Sequence, residues 1–191
     1  MKKSILFAAL ALASASAMAG EAGQINISGL VSDNTCDTRV NGGGKDGLVL
    51  LDTALVDEVK TAGMVSNTTA GAKPKAFSLT IDCNKSGNAL DKASVTFSSV
   101  FFSNSTGTLK NNESINDPAK GVNIALHLTE GPNGAIQNQV KVNDPSQVME
   151  ASFTNKVAVF DFLASYVREN STTEVKSGHV MTNAAYTFTY Q

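Results

Sequence analysis

Apolar and polar positions alternate most regularly at the end of the chain. From Thr182 onward the even positions read Thr182, Ala184, Tyr186, Phe188 and Tyr190, and the odd ones Asn183, Ala185, Thr187, Thr189 and Gln191. An apolar face against a polar face at period two predicts a half-buried β-strand. Further strand-like runs are QINISGLV (24–31), GLVLL (47–51), AFSLTIDC (76–83), ASVTFSSVFF (93–102), GVNIALHLT (121–129), AIQNQVKV (135–142) and KVAVFDFLASYV (156–167). The stretches between them are rich in Asn, Gly, Pro and Ser, the residues of turns. Asn133-Gly134 between two alternating runs is a hairpin signal. About eight short strands with frequent turns predict a sandwich or barrel. The one helical alternative is a short helix within Leu51–Met64. No internal repeat or domain boundary stands out.

The first 19 residues carry Lys2 and Lys3, an apolar run from Ile5 to Ala13 and a close on Ala17-Met18-Ala19, the pattern of a secretory signal peptide cut after Ala19. The apolar run is about half the roughly 20 residues that span a bilayer. Removing 19 of 191 residues leaves 172, enough for one domain with a real core. It also takes the formal net charge from −2 to −4, which leaves no material for a strongly basic patch and argues against a nucleic-acid partner. Cys36 and Cys83, with 46 residues between them, predict one disulfide in an exported chain. A loop of that size is stabilised by about 4 kcal/mol in the chain-entropy picture.

Chemistry-bearing motifs are scarce. NGGGKDG (41–47) lacks the glycine and hydroxyl spacing of a phosphate-binding loop and reads as a turn. His179 has no nucleophile-elbow motif beside it and reads as a surface residue. His127 and His179 lack partners at metal-ligand spacing. Neither Asn-Asp-Pro triplet, at 116–118 and 143–145, follows the twelve-residue calcium loop. No enzyme, metal or cofactor is expected from these residues.

The regular features lie at the two ends. After the predicted cut comes GEAGQINISGLVSDNTC, where Gly23, Ile25, Ile27 and Gly29 share one parity and Gln24, Asn26 and Ser28 the other. Tyr190 is the penultimate residue, Gly178 is fourteenth from the end, and Gly29 precedes Cys36 by seven. FLASY (162–166) follows a Phe-x-Ala-x-Tyr pattern, and GVNIALHL begins at Gly121. In these motifs, their order, the signal peptide and the single cysteine pair, the whole mature chain resembles the pilins of the chaperone–usher pathway, which build type 1 and P pili.

The resemblance implies an all-β, incomplete immunoglobulin-like sandwich that lacks its last strand and is completed by a donor strand from a neighbouring subunit or a chaperone. It implies a signal peptide over 1–19, a donor-strand extension over 20–30 and a pilin domain over 31–191. Donor residues would be Gly23, Ile25, Ile27 and Gly29. The acceptor groove, also gripped by the chaperone, would be formed by Phe162, Ala164, Tyr166, Gly178, Ala184, Tyr186, Phe188 and Tyr190. Only three mature residues precede Gly23, so the far end of this donor strand is short. The expected partners are related pilin subunits in a head-to-tail polymer, a periplasmic chaperone, an outer-membrane usher and, through the assembled pilus, a host-cell receptor. The expected location is the bacterial surface, reached through the periplasm. The alternatives are a minor, terminating or glycan-binding pilus subunit, and a self-contained β-sandwich carbohydrate-binding module. The module is disfavoured by the absence of Trp and the presence of only three Tyr. The length leaves no room for a lectin domain ahead of the pilin domain.

Overall fold

The computed structural model describes residues 36–87, 90–99 and 105–190. The predicted signal peptide and the extension with Gly23, Ile25, Ile27 and Gly29 lie outside these residues. Nine strands and one short helix follow in the order β1 (Asp37–Val40), α1 (Val56–Ala62), β2 (Ala72–Asp82), β3 (Lys92–Ser98), β4 (Leu109–Lys110), β5 (Val122–Thr129), β6 (Ile136–Val140), β7 (Met149–Ser152), β8 (Val157–Arg168) and β9 (Ala185–Tyr190).

They form two antiparallel sheets. The larger runs β1-β2-β8-β5-β4, with β6 also paired to β5, and the smaller runs β7-β3-β9. Alternation explains the central strands. Phe77, Leu79 and Ile81 of β2, Ala158, Phe160, Phe162 and Ala164 of β8, and Ala93, Val95 and Phe97 of β3 are buried in one shared core. Phe162 stacks on Phe77 and meets Phe97 edge-on, each at 5.2 Å between ring centres, so one ring joins the two sheets. Such aromatic pairs add about 0.5–1.5 kcal/mol each beyond the area they bury.

Strand β5 is buried on both faces, because the chain between α1 and β2 crosses its outer side. His127 is fully buried there, with Nε2 2.8 Å from the Ser66 carbonyl. Asn67 Oδ1 accepts from the Gln139 amide at 3.1 Å, and Ser165 Oγ accepts from the Gly71 amide at 2.9 Å. The sequence places a helix within 51–64, and α1 occupies Val56–Ala62 with Val59 buried.

Three expectations need correction. GLVLL (47–51) is not a strand: its residues have no sheet partner among the described residues, although Val49 and Leu51 pack on the core. The C-terminal strand begins at Ala185 rather than Thr182, because its neighbour β3 ends at Ser98, opposite Ala185. Strands β1, β4 and β7 were not anticipated, since runs of two to four residues are too short to show a period.

Cys36 and Cys83 are bonded, one position beyond the Asp37–Asp82 pair that ends the β1–β2 ladder. Cys83 is fully buried. Replacing Cys36 by Ser should cost about 2–5 kcal/mol, read as a lower thermal midpoint and poor periplasmic recovery. Phe162→Ala should cost about 3–5 kcal/mol by the same thermal measurement, because it removes the ring that both sheets share.

Candidate functional site

Strand β9 pairs with β3 on one side only, from Ala93–Tyr190 to Ser98–Ala185. Its other edge has no strand beside it among the described residues. Along it the even positions Tyr186, Phe188 and Tyr190 are half-buried and the odd ones exposed. The same alternation continues backward through Ala184 and Thr182, where neither β3 nor any other described strand pairs with the chain. The Thr182 hydroxyl is buried without a hydrogen-bond partner.

Facing this edge is the segment Lys45–Leu51, which likewise has no sheet partner among the described residues. Val49 and Leu51 turn toward the core, while Leu48 and Leu50 stand 74% and 70% exposed. Between the two rims lies a cavity of about 740 Å³. Its floor comes from the inner face of the larger sheet, with Leu79 of β2, Leu109 of β4, Ile124 and Leu126 of β5, and Ala164 and Tyr166 of β8. Phe97 of β3 and the stretch Val180–Tyr186 form the side nearest β9. The volume falls in the roughly 300–1,000 Å³ range of built binding sites. Most of the lining is apolar, and Thr38, Lys45, Asp46, Thr182 and Asn183 are its polar members.

The conformation of the β9 rim is fixed from below. The Asn111 side chain donates to the carbonyls of Ala119 (2.8 Å) and His179 (3.0 Å) and accepts from the Met181 amide (2.8 Å). The Met181 carbonyl in turn accepts from the Asn112 amide at 2.8 Å. Gly178 sits at this junction with φ +152°; a Cβ there would lie 2.5 Å from the Ala119 nitrogen and 2.6 Å from the Asp117 oxygen. Only a residue without a side chain admits that approach.

Of the eight acceptor residues expected from the sequence, Ala164, Tyr166, Ala184 and Tyr186 line the cavity. Phe162 lies one layer below, fully buried against Phe77 and Phe97, which do line it. Phe188 and Tyr190 continue the inward face of β9 onto the core, with Phe188 5.7 Å from Phe160. Gly178 is outside the lining and holds the rim instead. Sequence reasoning missed the opposite rim, Lys45–Leu51, and the floor residues Leu109, Ile124 and Leu126. GLVLL is apolar at every position after Gly47, so no alternation in the sequence marks which of its residues turn inward.

Burial, and then the charge of Asp52, push the Tyr166 hydroxyl above the usual phenol range. Among the described residues no three His, Cys, Asp or Glu side chains converge as a metal site would require. No helix among them is long and apolar enough to cross a membrane.

The sequence profile of a family described as fimbrial protein matches residues 25–191. No curated protein sequence matches the chain. Among solved structures, a chaperone–usher pilus whose structure addresses rod uncoiling is similar at 13% identity and TM-score 0.58, over 90% of this chain and 96% of that one. The P pilus rod subunit PapA is similar at 13% identity and TM-score 0.56, over 81% of this chain and 99% of that one. At these identities the likeness concerns the fold, which is that of immunoglobulin-like pilus subunits.

Gly178→Ala should destabilise the protein by about 1–3 kcal/mol, since the added methyl must displace main chain rather than a flexible side chain. Thermal unfolding of the variant beside the parent measures it.

Proposed function

The chain belongs to the fimbrial protein family, and on that premise we propose that it is a structural subunit that polymerises head to tail by taking a β-strand from its neighbour. The family is structural rather than enzymatic and implies a cell-surface pilus. The observation that carries the proposal is the gap between two rims, the segment Lys45–Leu51, which has no sheet partner among the described residues, and the open edge of β9 with the stretch that leads into it, above an apolar floor. One inserted strand has main-chain partners on both sides there and apolar pockets beneath its inward side chains, the pattern of β-strand addition.

The segment we assign as donor is 20–30 of the next subunit, with Gly23, Ile25, Ile27 and Gly29 facing inward and running antiparallel to β9. Burying Ile25 and Ile27 would contribute roughly 1.5–3 kcal/mol each, beside the ladder bonds. Gly23 would allow close approach of the main chain. Because the strand given and the groove filled are different parts of the subunit, the contact is heterologous and does not close, which makes a filament. Before assembly an open edge of this kind promotes aggregation. A periplasmic chaperone lending its own strand, and an outer-membrane usher handing subunits on, are the partners this chemistry calls for. Adhesion to a host receptor would then be a property of the assembled pilus. We assign export to a signal peptide over 1–19 and the pilin domain to 31–191.

Ile25→Asp combined with Ile27→Asp should leave the subunit folded on its chaperone and unable to enter a fibre, because each unpaired charge in the groove costs several kcal/mol. Electron microscopy of cells or of mixed chaperone–subunit complexes reads the result. Filaments from a chain deleted through Ser28 would refute the mechanism. A copy of residues 20–31 joined after Gln191 by a flexible linker should instead give a monomer that is stable without chaperone and does not polymerise.

A further inference from the structure

Tyr186 connects the two rims of the groove. Its ring lies on the inward face of β9, edge-on to Phe188 at 5.4 Å. Its hydroxyl donates to the main-chain carbonyl of Lys45 on the opposite rim. Among the described residues this is the one hydrogen bond made anywhere between Lys45 and Leu51.

The loop that carries Lys45 is pinned at its base and not at its tip. Val40 N donates to Gly44 O and Gly43 N to Val40 O, both at 2.9 Å, closing the turn on itself. Asn41 is tied to β2 twice, by its amide to Ser78 O and by its Oδ1 to the Ser78 amide, each at 2.9 Å. Asn41 and Gly42 have φ of 51° and 72°, and a Cβ at Gly42 would meet nothing within 4 Å. The base is therefore a fixed, left-handed turn, and the tip at Lys45 and Asp46 is exposed and held by the Tyr186 hydroxyl.

A strand entering between the rims needs the space that this side chain crosses. Neighbouring strands stand about 4.8 Å apart, so two rims that share an inserted strand are separated by roughly twice that. We infer that Tyr186 is the gate of the groove: its hydroxyl latches the glycine-rich loop across the empty gap and must release Lys45 before an incoming strand can pair with both rims. The inference rests on the strand-accepting reading above and adds to it the residue that limits entry. The bond is solvent-exposed, so deleting the hydroxyl leaves no buried group without a partner, and phenylalanine keeps the ring against Phe188. The gate acts on the rate of strand uptake rather than on the fold.

The test compares the full mature chain with its Tyr186→Phe variant, using as probe a fluorescent peptide copying residues 20–31. Losing one exposed neutral hydrogen bond from the closed state should raise the association rate about 2–10-fold, with the dissociation rate unchanged and the thermal midpoint lowered by no more than a few degrees. In the free variant, amide hydrogen exchange across 43–48 should quicken while that of β8 stays as in the parent. Equal or slower association overturns the gate, and so does a variant that is not recovered folded, because the hydroxyl would then be needed for the fold itself. Peptide uptake by neither protein overturns the strand-accepting reading together with the gate.

Discussion

The structure depends on a mismatch in width between its two sheets. Among the described residues, one face of a six-stranded sheet is opposed by three strands, so the apolar side chains of β4 and β5 extend past the last of those strands. A sheet edge is a row of main-chain donors and acceptors that water or another strand must satisfy. Here that edge coincides with the margin of the core, so the same gap leaves main-chain groups unpaired and apolar surface uncovered. The half-burial of the inward residues of β9 reflects this. Tyr186 lines the gap, and Phe188 and Tyr190 continue the same face onto the core.

The two rims of the gap are each shaped by main-chain architecture beneath them, and the Tyr186 side chain crosses from one to the other. Asn111 spends its amide on three main-chain groups and so holds Val180 and Met181 without entering the cavity. On the other side, the chain leaves the larger sheet at Val40, reverses through Asn41–Gly47 and returns to the core at Val49 and Leu51. Gly47 is close enough to Val40 that a Cβ would lie 2.3 Å from one of its methyl carbons. A groove built this way has a defined shape while empty, so less ordering remains for the moment of binding.

The centre of the fold was legible from the chain alone, because β2, β3 and β8 each carry a full period-two pattern that only one burial arrangement satisfies. The inward face of the last strand was legible for the same reason, down to Ala184 and Tyr186. What stayed hidden were properties that depend on a neighbour. GLVLL has the apolar composition of a strand, and its sequence cannot report that no described ladder partner lies beside it. Thr182–Ala184 fails to join β9 only because β3 stops at Ser98. His127 reads as one polar residue in an apolar run, and its burial follows from a loop some 60 residues away in sequence. Gly178 was found by its place in a motif, but its physical task, a backbone crossing too close for any side chain, needed the fold to be visible.

The disulfide also determines how the domain would carry a mechanical load. Strand β1 has four residues at the outer edge of its sheet, and a pull on the chain ahead of it would ordinarily unzip such a strand one hydrogen-bonded pair at a time, starting from Asp37. The Cys36–Cys83 bond stands just outside that first pair. Tension arriving at Cys36 is therefore shared through a covalent bond with β2, which is bonded to strands on both sides. Loading along β2 strains its ladders in shear, where many hydrogen bonds resist together, instead of peeling them in sequence. A four-residue edge strand thereby acquires the strength of an eleven-residue interior one at the point where a force on the chain would enter the domain.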